Sequence, residues 1–446
     1  MTTRRRVAII GAGFSGASVA AQLLRARDRT NVVLIERASR FGPGGAYGGP
    51  DQTFLLNVRA ANMSALPHVQ DDFVRWLKPK SETGAGDIFA SRNTYGRYVE
   101  HVLNRAGWQA FTRLKRLRAA AVACRPAGKG WRIELARGKP IEADAVVLAL
   151  GNVSSPVPAV LSDVPVLSAF DAPARRRIPR RGDVLLVGAG LTAVDAVMAL
   201  DAQGHKGAIY ALSRRGLLPR PQAAASKLAP FAASDFPLEL SDALHVFRRK
   251  VRAMADHGEP WQWAMERIRA ATPELWGRLS LQQQKRFLRH LRPWWDTHRH
   301  RAAPQVAARV EELIKQGQLR VLAGDIVSAT PTVRGVQIMH RQRGSFARHR
   351  LELAAIINCT GAVFDVSESD DPLVSQLRDE GVVRAHPTGL GFDVDHNGAL
   401  IGANGESNVA LFTLGPPTQG AFWESTAVPE IRMRAEHLSQ ILTSES

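Results

Sequence analysis

The sequence predicts an α/β protein of two Rossmann-like dinucleotide-binding units carrying a mostly helical insertion. Three observations predict it: a glycine-rich strand–turn–helix pattern starting at Arg6, a second starting at Asp183, and a strand-rich stretch after each that closes on a buried strand and a glycine. The chain has 446 residues, 45 % apolar and 22 % charged, ordinary for a globular protein with a large core.

The first unit runs from Arg6 to Arg37. Val7–Ile10 reads as a buried strand, Ala17–Arg25 as a helix and Asn31–Ile35 as a second strand closed by Glu36. Between strand and helix stand Gly11, Gly13 and Gly16, a GxGxxG pattern. The first glycine permits the tight turn, the second lets backbone approach a pyrophosphate, and the third lets helix and strand pack closely. The helix N-terminus then offers free N–H groups to an anion, and Phe14, Ser15 and Gly16 of the turn are read as cofactor-binding. Glu36, 20 residues after Gly16, suits ribose hydroxyls, with Arg37 beside it.

The second unit, Asp183–Arg215, repeats the plan: strand Val184–Val187, then Gly188, Gly190 and Ala193 as GxGxxA, a helix over Thr192–Leu200 and strand Ala208–Leu212, with Leu191 and Thr192 read as cofactor-binding. Twenty-five residues after Gly11 stands Glu36; twenty-five after Gly188 stands Ser213, followed by Arg214 and Arg215. A carboxylate would repel a 2′-phosphate, whereas arginine forks match one, so the second unit is expected to prefer NADPH over NADH. The echo continues in Leu117–Leu150 with Gly151, and in Leu319–Asn358 with Cys359, Thr360 and Gly361. Two such units imply two dinucleotides, one flavin and one nicotinamide.

Lys+Arg number 59 against 41 Asp+Glu, a net charge of +18, and 49 of the 59 are arginine. Such a balance raises nucleic acid or an anionic membrane as partners, but the charge is spread along the chain and no nucleic-acid motif accompanies it. The apolar run after Arg4, Arg5 and Arg6 is too short for a secretory core, and no run approaches 18 apolar residues, so no membrane span and a cytoplasmic address are expected. Two cysteines, Cys124 and Cys359, leave no CxxC dithiol and no cysteine zinc site; Cys359 reads as a structural thiol.

Arg220–Pro304 interrupts the second unit. From His245 to Arg301 it carries 13 Lys+Arg against 5 Asp+Glu, and it holds Trp261, Trp263, Trp276, Trp294 and Trp295. It reads as a helical cover over the cofactor cleft, either a scaffold or a basic cap for an anionic group of cofactor or substrate. His298 and His300 between arginines make a poor metal set, and no metal site is expected.

The stretches GAGFSG (11–16), GGAYG (44–48), FLLNVRAANMSALP (54–67), YGRY (95–98), LALG (148–151), VGAGLTAVD (187–195), LSRRGLLP (212–219), WDTHRHRAAP (295–304), NCTG (358–361) and WESTAVPEIR (423–432) together resemble the bacterial FAD-NAD(P)-binding family of two-dinucleotide-fold flavoproteins. More distantly, the chain is similar to flavin-dependent N-hydroxylases and Baeyer–Villiger-type monooxygenases. The resemblance implies FAD on the first unit and NADPH on the second. It divides the chain into a discontinuous FAD-binding domain, 1–165 and 350–446, and an NADPH-binding domain, 180–349, with the insertion at about 220–304. It places Gly45, Ala46, Tyr47, Asn57, Met63 and Ser64 near the flavin, with Asn57 and Ser64 as polar contacts. It also places Gly415 near the flavin, and a helix capped by Thr426 with its dipole toward the ring.

Two departures stand out. Gly415 is followed by Pro416 where relatives carry Gly-Asp, and the FxGxxxHxxxW fingerprint of Baeyer–Villiger enzymes is missing before Gly188. No side chain is singled out as catalytic. The leading expectation is an NADPH-dependent monooxygenase that passes one atom of molecular oxygen to a small molecule through a C4a-(hydro)peroxyflavin. The alternatives are an oxidoreductase passing hydride or electrons to another acceptor, and a flavin-binding partner or sensor protein.

Overall fold

The structure, a computed structural model, describes residues 4–26, 30–77, 84, 86–152, 156–226, 228–361 and 364–444. The chain begins with β1 (Arg6–Ile10), α1 (Phe14–Arg25), β2 (Asn31–Glu36), α2 (Gly44–Tyr47), α3 (Asp72–Leu77), α4 (Arg92–Gln109) and β3 (Leu114–Arg118). Next come β4 (Ala121–Ala127), β5 (Gly130–Leu135), β6 (Ile141–Ala143), β7 (Ala145–Leu148), β8 (Leu167–Ser168) and α5 (Ala172–Arg176). The second unit opens with β9 (Val184–Val187), α6 (Leu191–Ala202) and β10 (Ile209–Ser213). Five helices follow: α7 (Leu240–Asp256), α8 (Trp261–Arg269), α9 (Thr272–Arg278), α10 (Leu281–His290) and α11 (Arg292–Arg299). Then come α12 (Pro304–Lys315), β11 (Leu319–Thr332), β12 (Gly335–Gln342), β13 (Arg348–Leu353) and β14 (Ala355–Asn358). The chain closes with α13 (Pro372–Asp379), β15 (Ala399–Ile401), β16 (Ser407–Thr413) and α14 (Val428–Ser444).

The first sheet has the order β15-β16-β7-β1-β2-β3 and the second β13-β12-β11-β10-β9-β14-β8. The central strands of both are parallel. A parallel strand covered on both faces needs apolar residues at every position, which is why VAII in β1 and VLLV in β9 are buried throughout. Helices cover the faces: Leu23 of α1 and Leu438 and Leu442 of α14 share one core cluster with Val7 and Ile9 of β1. In each sheet the strand that leads into the glycine turn lies between neighbours reached by opposite crossovers, β2 and β7 for β1, β10 and β14 for β9. That reversal opens a crevice beyond the strands' carboxyl ends, where ligands bind in open α/β sheets.

The strands correct one expected boundary. β14 lies within the stretch assigned from 350 onward to the first unit, yet Ile356 pairs with Leu185 of β9, and β14 sits in the second sheet. The return to the first unit therefore falls after Asn358, because the apolar run 355–358 completes the second sheet before the chain crosses.

Helices α7, α8, α9 and α11, with the loop before α7, build a small core of their own around Phe231, Phe236, Met254, Ala264 and Ile268. A second cluster joins them to the C-terminal segment: Trp276 stacks on Trp423 at 4.9 Å and donates its indole N–H to the Gly420 carbonyl at 2.7 Å. No described helix is long and apolar enough to cross a membrane, and no metal-ligand cluster exists among the described residues.

Candidate functional site

The two glycine turns are built alike. The Gly11 N–H donates to the Ile35 carbonyl at 2.8 Å, and the Gly188 N–H to the Leu212 carbonyl at 2.8 Å. Gly11 has φ +99 and Gly188 φ +118, left-handed values that favour glycine. A Cβ on Gly11 would meet the Ala149 carbonyl oxygen at 2.3 Å, and one on Gly188 the Cys359 carbonyl oxygen at 2.5 Å. Each turn thus nests against the end of the returning strand. Gly16 has no room either, since its Cβ would lie 1.9 Å from the Gly11 oxygen.

Gly13 precedes α1 and Gly190 precedes α6, and neither helix start has a side-chain cap. The first-turn amides of Phe14, Ser15 and Gly16, and of Leu191, Thr192 and Ala193, are therefore left for an anion. A Cβ on Gly190 would meet nothing within 4 Å, so the approach to α6 is open. Gly13 is closed on one side by Gly44, whose own Cβ would sit 2.7 Å from the Gly13 Cα. Glu36 accepts from the Ala12 amide at 2.7 Å through Oε2 and from the Ala38 amide at 2.9 Å through Oε1. Its carboxylate is held in the loop between two backbone donors, with lone pairs left for hydroxyls. Arg37 is exposed beside it, 3.8 Å from Asp371.

Around this loop the residues expected near the flavin separate into two groups. Gly45 and Ala46 are exposed, with open space above Gly45. Tyr47 packs edge-on against Tyr95 at 4.8 Å, and burial pushes its phenol up to about 12. Asn57 is half-buried and its carbonyl accepts from Gln222 at 3.3 Å. Gly151 follows β7 at φ +68 with free space around it. Gly415 lies against α1: a Cβ there would meet the Ser15 hydroxyl at 2.5 Å, which brings the end of β16 to the glycine loop.

Phe14, Met63 and Ser64 turn inward instead. Phe14 and Met63 belong to the core cluster, and Ser64 is fully buried with its hydroxyl donating to the Val69 carbonyl at 2.6 Å. The expectation of a flavin contact from the Ser64 hydroxyl is corrected: the turn 64–69 consumes it. Thr426 is corrected as well. α14 starts at Val428, so Ala427 stands immediately before it, and the acid of its first turn is Glu430.

On the second unit Ser213 accepts the Gly216 amide at 3.0 Å, Arg214 is exposed and Arg215 half-exposed. Among the described residues neither guanidinium has an ion-pair partner. Thr360 donates its hydroxyl to Asn358 Oδ1 at 2.6 Å, and Gly361 is exposed next to it.

Residues 8–153 match the family described as FAD-NAD(P)-binding. Three solved structures align along almost the entire chain. Ornithine hydroxylase PvdA from Pseudomonas aeruginosa is 13 % identical with a TM-score of 0.68, covering 99 % of both chains. The Kutzneria sp. 744 ornithine N-hydroxylase KtzI, solved with reduced FAD, NADP+ and L-ornithine, is 16 % identical at 0.67, covering 100 % of both. DfoA, the cadaverine monooxygenase of Erwinia amylovora, is 13 % identical at 0.68, covering 99 % of this chain and 95 % of that one. The chain has the two-dinucleotide flavoprotein fold. The bacillithiol disulfide reductase of Bacillus cereus shares it at a TM-score of 0.57 and 14 % identity, covering 100 % of both chains. A search of the curated proteins returns no match.

Within this fold, ion pairs between distant segments tie the units together. Arg92 of α4 donates to Asp195 of α6 at 2.7 Å, Arg299 of α11 to Glu424 at 2.6 Å, and Arg269 of α8 to both oxygens of Glu430 at 2.7 Å each. The buried Arg175 donates to Asp51 at 2.7 Å. Sequence reasoning missed all four pairs, because nothing in either partner's neighbourhood marks the other. Both cysteines are buried and free, and burial pushes the Cys124 thiol up to about 12 and Cys359 further in the same direction. Neither is a reactive thiolate.

Proposed function

We propose that the chain is an FAD-dependent, NADPH-using monooxygenase that transfers one oxygen atom from O2 to a small molecule. The observation that carries the reading is the paired turn geometry at Gly11 and Gly188, set in a fold shared over the whole chain with N-hydroxylating monooxygenases. The first unit fits FAD: α1 offers uncapped amides, Gly13 has no side chain to stand before them, and Glu36, held by the Ala12 amide, would meet the ribose hydroxyls. Bound FAD would supply two-electron reduction by NADPH and oxygen delivery.

The chain's own residues bind and orient. The α1 start would hold the flavin pyrophosphate through backbone N–H groups and the helix dipole, and the α6 start would do the same for NADPH. Arg214 and Arg215 would take the 2′-phosphate. The insertion, clamped by Arg299–Glu424 and Arg269–Glu430, would exclude water from the cleft. The named substrates of the neighbours, ornithine and cadaverine, support a small amine as the oxygen acceptor, and the basic insertion supports an anionic group on it. Two free, buried cysteines support a reducing, cytoplasmic compartment.

A second reading, electron transfer to another acceptor, draws on the shared fold of the bacillithiol disulfide reductase. The buried pair Cys124 and Cys359 supplies no exposed dithiol for a thiol relay. Purified protein should be yellow, bleach faster with NADPH than with NADH, and consume oxygen with amine substrates while forming an oxygenated product. Colourless protein that FAD cannot reconstitute would sink the reading. Bleaching and reoxidation with hydrogen peroxide as the sole product, whatever amine is supplied, would favour the second.

A further inference from the structure

A cavity of about 240 Å³ lies where three parts of the fold meet: the 57–62 segment of the first unit, the insertion, and the start of α14. That is below the roughly 300–1,000 Å³ of sites for whole drug-sized ligands, so it suits one end of a small molecule rather than a dinucleotide. Its lining includes five arginines: Arg59, Arg269, Arg299, Arg301 and Arg432.

Four of them have acidic partners. Arg269 pairs with Glu430, Arg299 with Glu424, Arg301 with Glu266 at 3.2 Å, and Arg59 with Asp87 at 3.5 Å. Arg432 has none among the described residues; one of its amino groups donates to the Ser64 carbonyl at 2.8 Å. Burial pulls the Arg432 guanidinium down, and among the acids only the longer-range attraction of Glu430 opposes this.

The polar inventory points the same way. Four buried atoms on lining residues lack any hydrogen-bond partner: Nε of Arg299, Arg301 and Arg432, and Oε1 of Gln222. The side chains of Arg301 and Arg299 are only 3 % and 8 % exposed. Unpaired polar atoms buried in the cavity walls are costly, and five guanidiniums around one cavity, one of them with no acidic partner, make an electropositive environment that an oxyanion relieves. Burial and the neighbouring guanidiniums push Arg301 down to about 10, the strain expected where cations crowd without enough anions.

We infer that this cavity is the subsite for the oxyanionic end of the substrate, a carboxylate or phosphate held by Arg432 and Arg301, with Gln222 Oε1 accepting from a donor beside it. This deepens the monooxygenase reading and rests on it for the word substrate. The anion site itself is tested separately.

The FAD-loaded protein is titrated with inorganic phosphate and, separately, acetate. Ionic strength is held constant with chloride, the thermal midpoint is followed, and the same samples are checked for bleaching by NADPH. A saturable rise in midpoint over the chloride control is expected, and it should persist in saturating NADP+. R432Q should weaken the apparent affinity about ten- to hundredfold, the loss of one charged hydrogen-bonding group, and R432K should fall between. If R432Q fails to fold, R301K and the parent titration decide alone.

A midpoint that follows ionic strength only overturns the inference. So does a rise abolished by NADP+, which assigns the cavity to the cofactor's phosphate, or one seen only after FAD is stripped, which assigns it to the flavin. Bleaching without anion binding sinks the subsite and leaves the monooxygenase reading standing. Anion binding without bleaching sinks that reading instead, and with it the role as a substrate subsite.

Discussion

Arg92 and Asp195 form a largely buried ion pair at 2.7 Å that joins α4 of the first unit to α6 of the second. The pair sits directly behind the second glycine turn, since Asp195 lies five residues past Gly190 on the helix that turn opens. Burial outweighs Arg92 and lifts the Asp195 carboxyl from 3.8 to about 6. The folded chain therefore holds this proton more tightly than the unfolded chain, and stability falls as pH rises from about 4 to about 6, with no further loss from this group above 6. R92M should strand the carboxylate. Breaking a buried pair costs roughly 3–5 kcal/mol, and the low end applies because Arg92 keeps 23 % of its side chain in water. The loss should be larger at pH 7.5 than at pH 5, where the stranded acid can take up a proton. Urea unfolding at both values checks it; equal losses would show that Asp195 is not the stranded charge.

The two second-unit glycines should separate folding from binding. G188A forces a Cβ to 2.5 Å from a backbone carbonyl at φ +118, and should lower the thermal midpoint steeply. G190A meets no atom within 4 Å and has an ordinary φ of −80, so its midpoint should stay near the parent's. Its methyl would stand where a pyrophosphate approaches α6, and KM for NADPH should rise about tenfold or more, the loss of one charged hydrogen bond. A G190A protein with parental KM would remove the phosphate site from α6.

The parts of the site legible in sequence are those whose physics is local. Gly11 and Gly188 announce themselves because a tight turn, a close strand and a helix start all fall within ten residues. Glu36 and Ser213 follow by counting along that unit. The parts that escaped are the long-range ones: Arg299 and Glu424 meet across 125 positions, and the arginines of the cavity come from three separate segments. Ser64 shows a subtler limit. The family resemblance of 54–67 offers Ser64 as a flavin contact, but only the fold reveals that its own turn takes the hydroxyl. The boundary near 350 slipped for a similar reason, since an apolar strand does not say which sheet it completes.

Arg299 and Glu424 should prove as important to the insertion's seat as the tryptophan stack beside them. Their side chains are 8 % and 3 % exposed, so E424A leaves a guanidinium buried and unpaired, at a cost of roughly 3–5 kcal/mol. Limited proteolysis should then cut within 240–299 faster than in the parent. Replacing both partners, R299M with E424L, removes the buried charges together and should recover much of the stability. A double variant as weak as E424A would mean that the pair matters through shape rather than charge.

The choice between nicotinamides should rest on Arg214 and Arg215. Both lack an ion-pair partner among the described residues, and Ser213 beside them accepts the Gly216 amide while its O–H stays available to donate. A charged hydrogen bond contributes roughly 1.5–3 kcal/mol, so replacing both with alanine should cut kcat/KM for NADPH about a hundredfold or more. The value for NADH should barely move, because the 2′-hydroxyl never needed them. Salt supplies an independent reading: raising it shortens the Debye length and should erode NADPH use in the parent while leaving R214A/R215A nearly indifferent. If parent and variant respond to salt alike, the surplus arginine of this chain has no role at the 2′-phosphate.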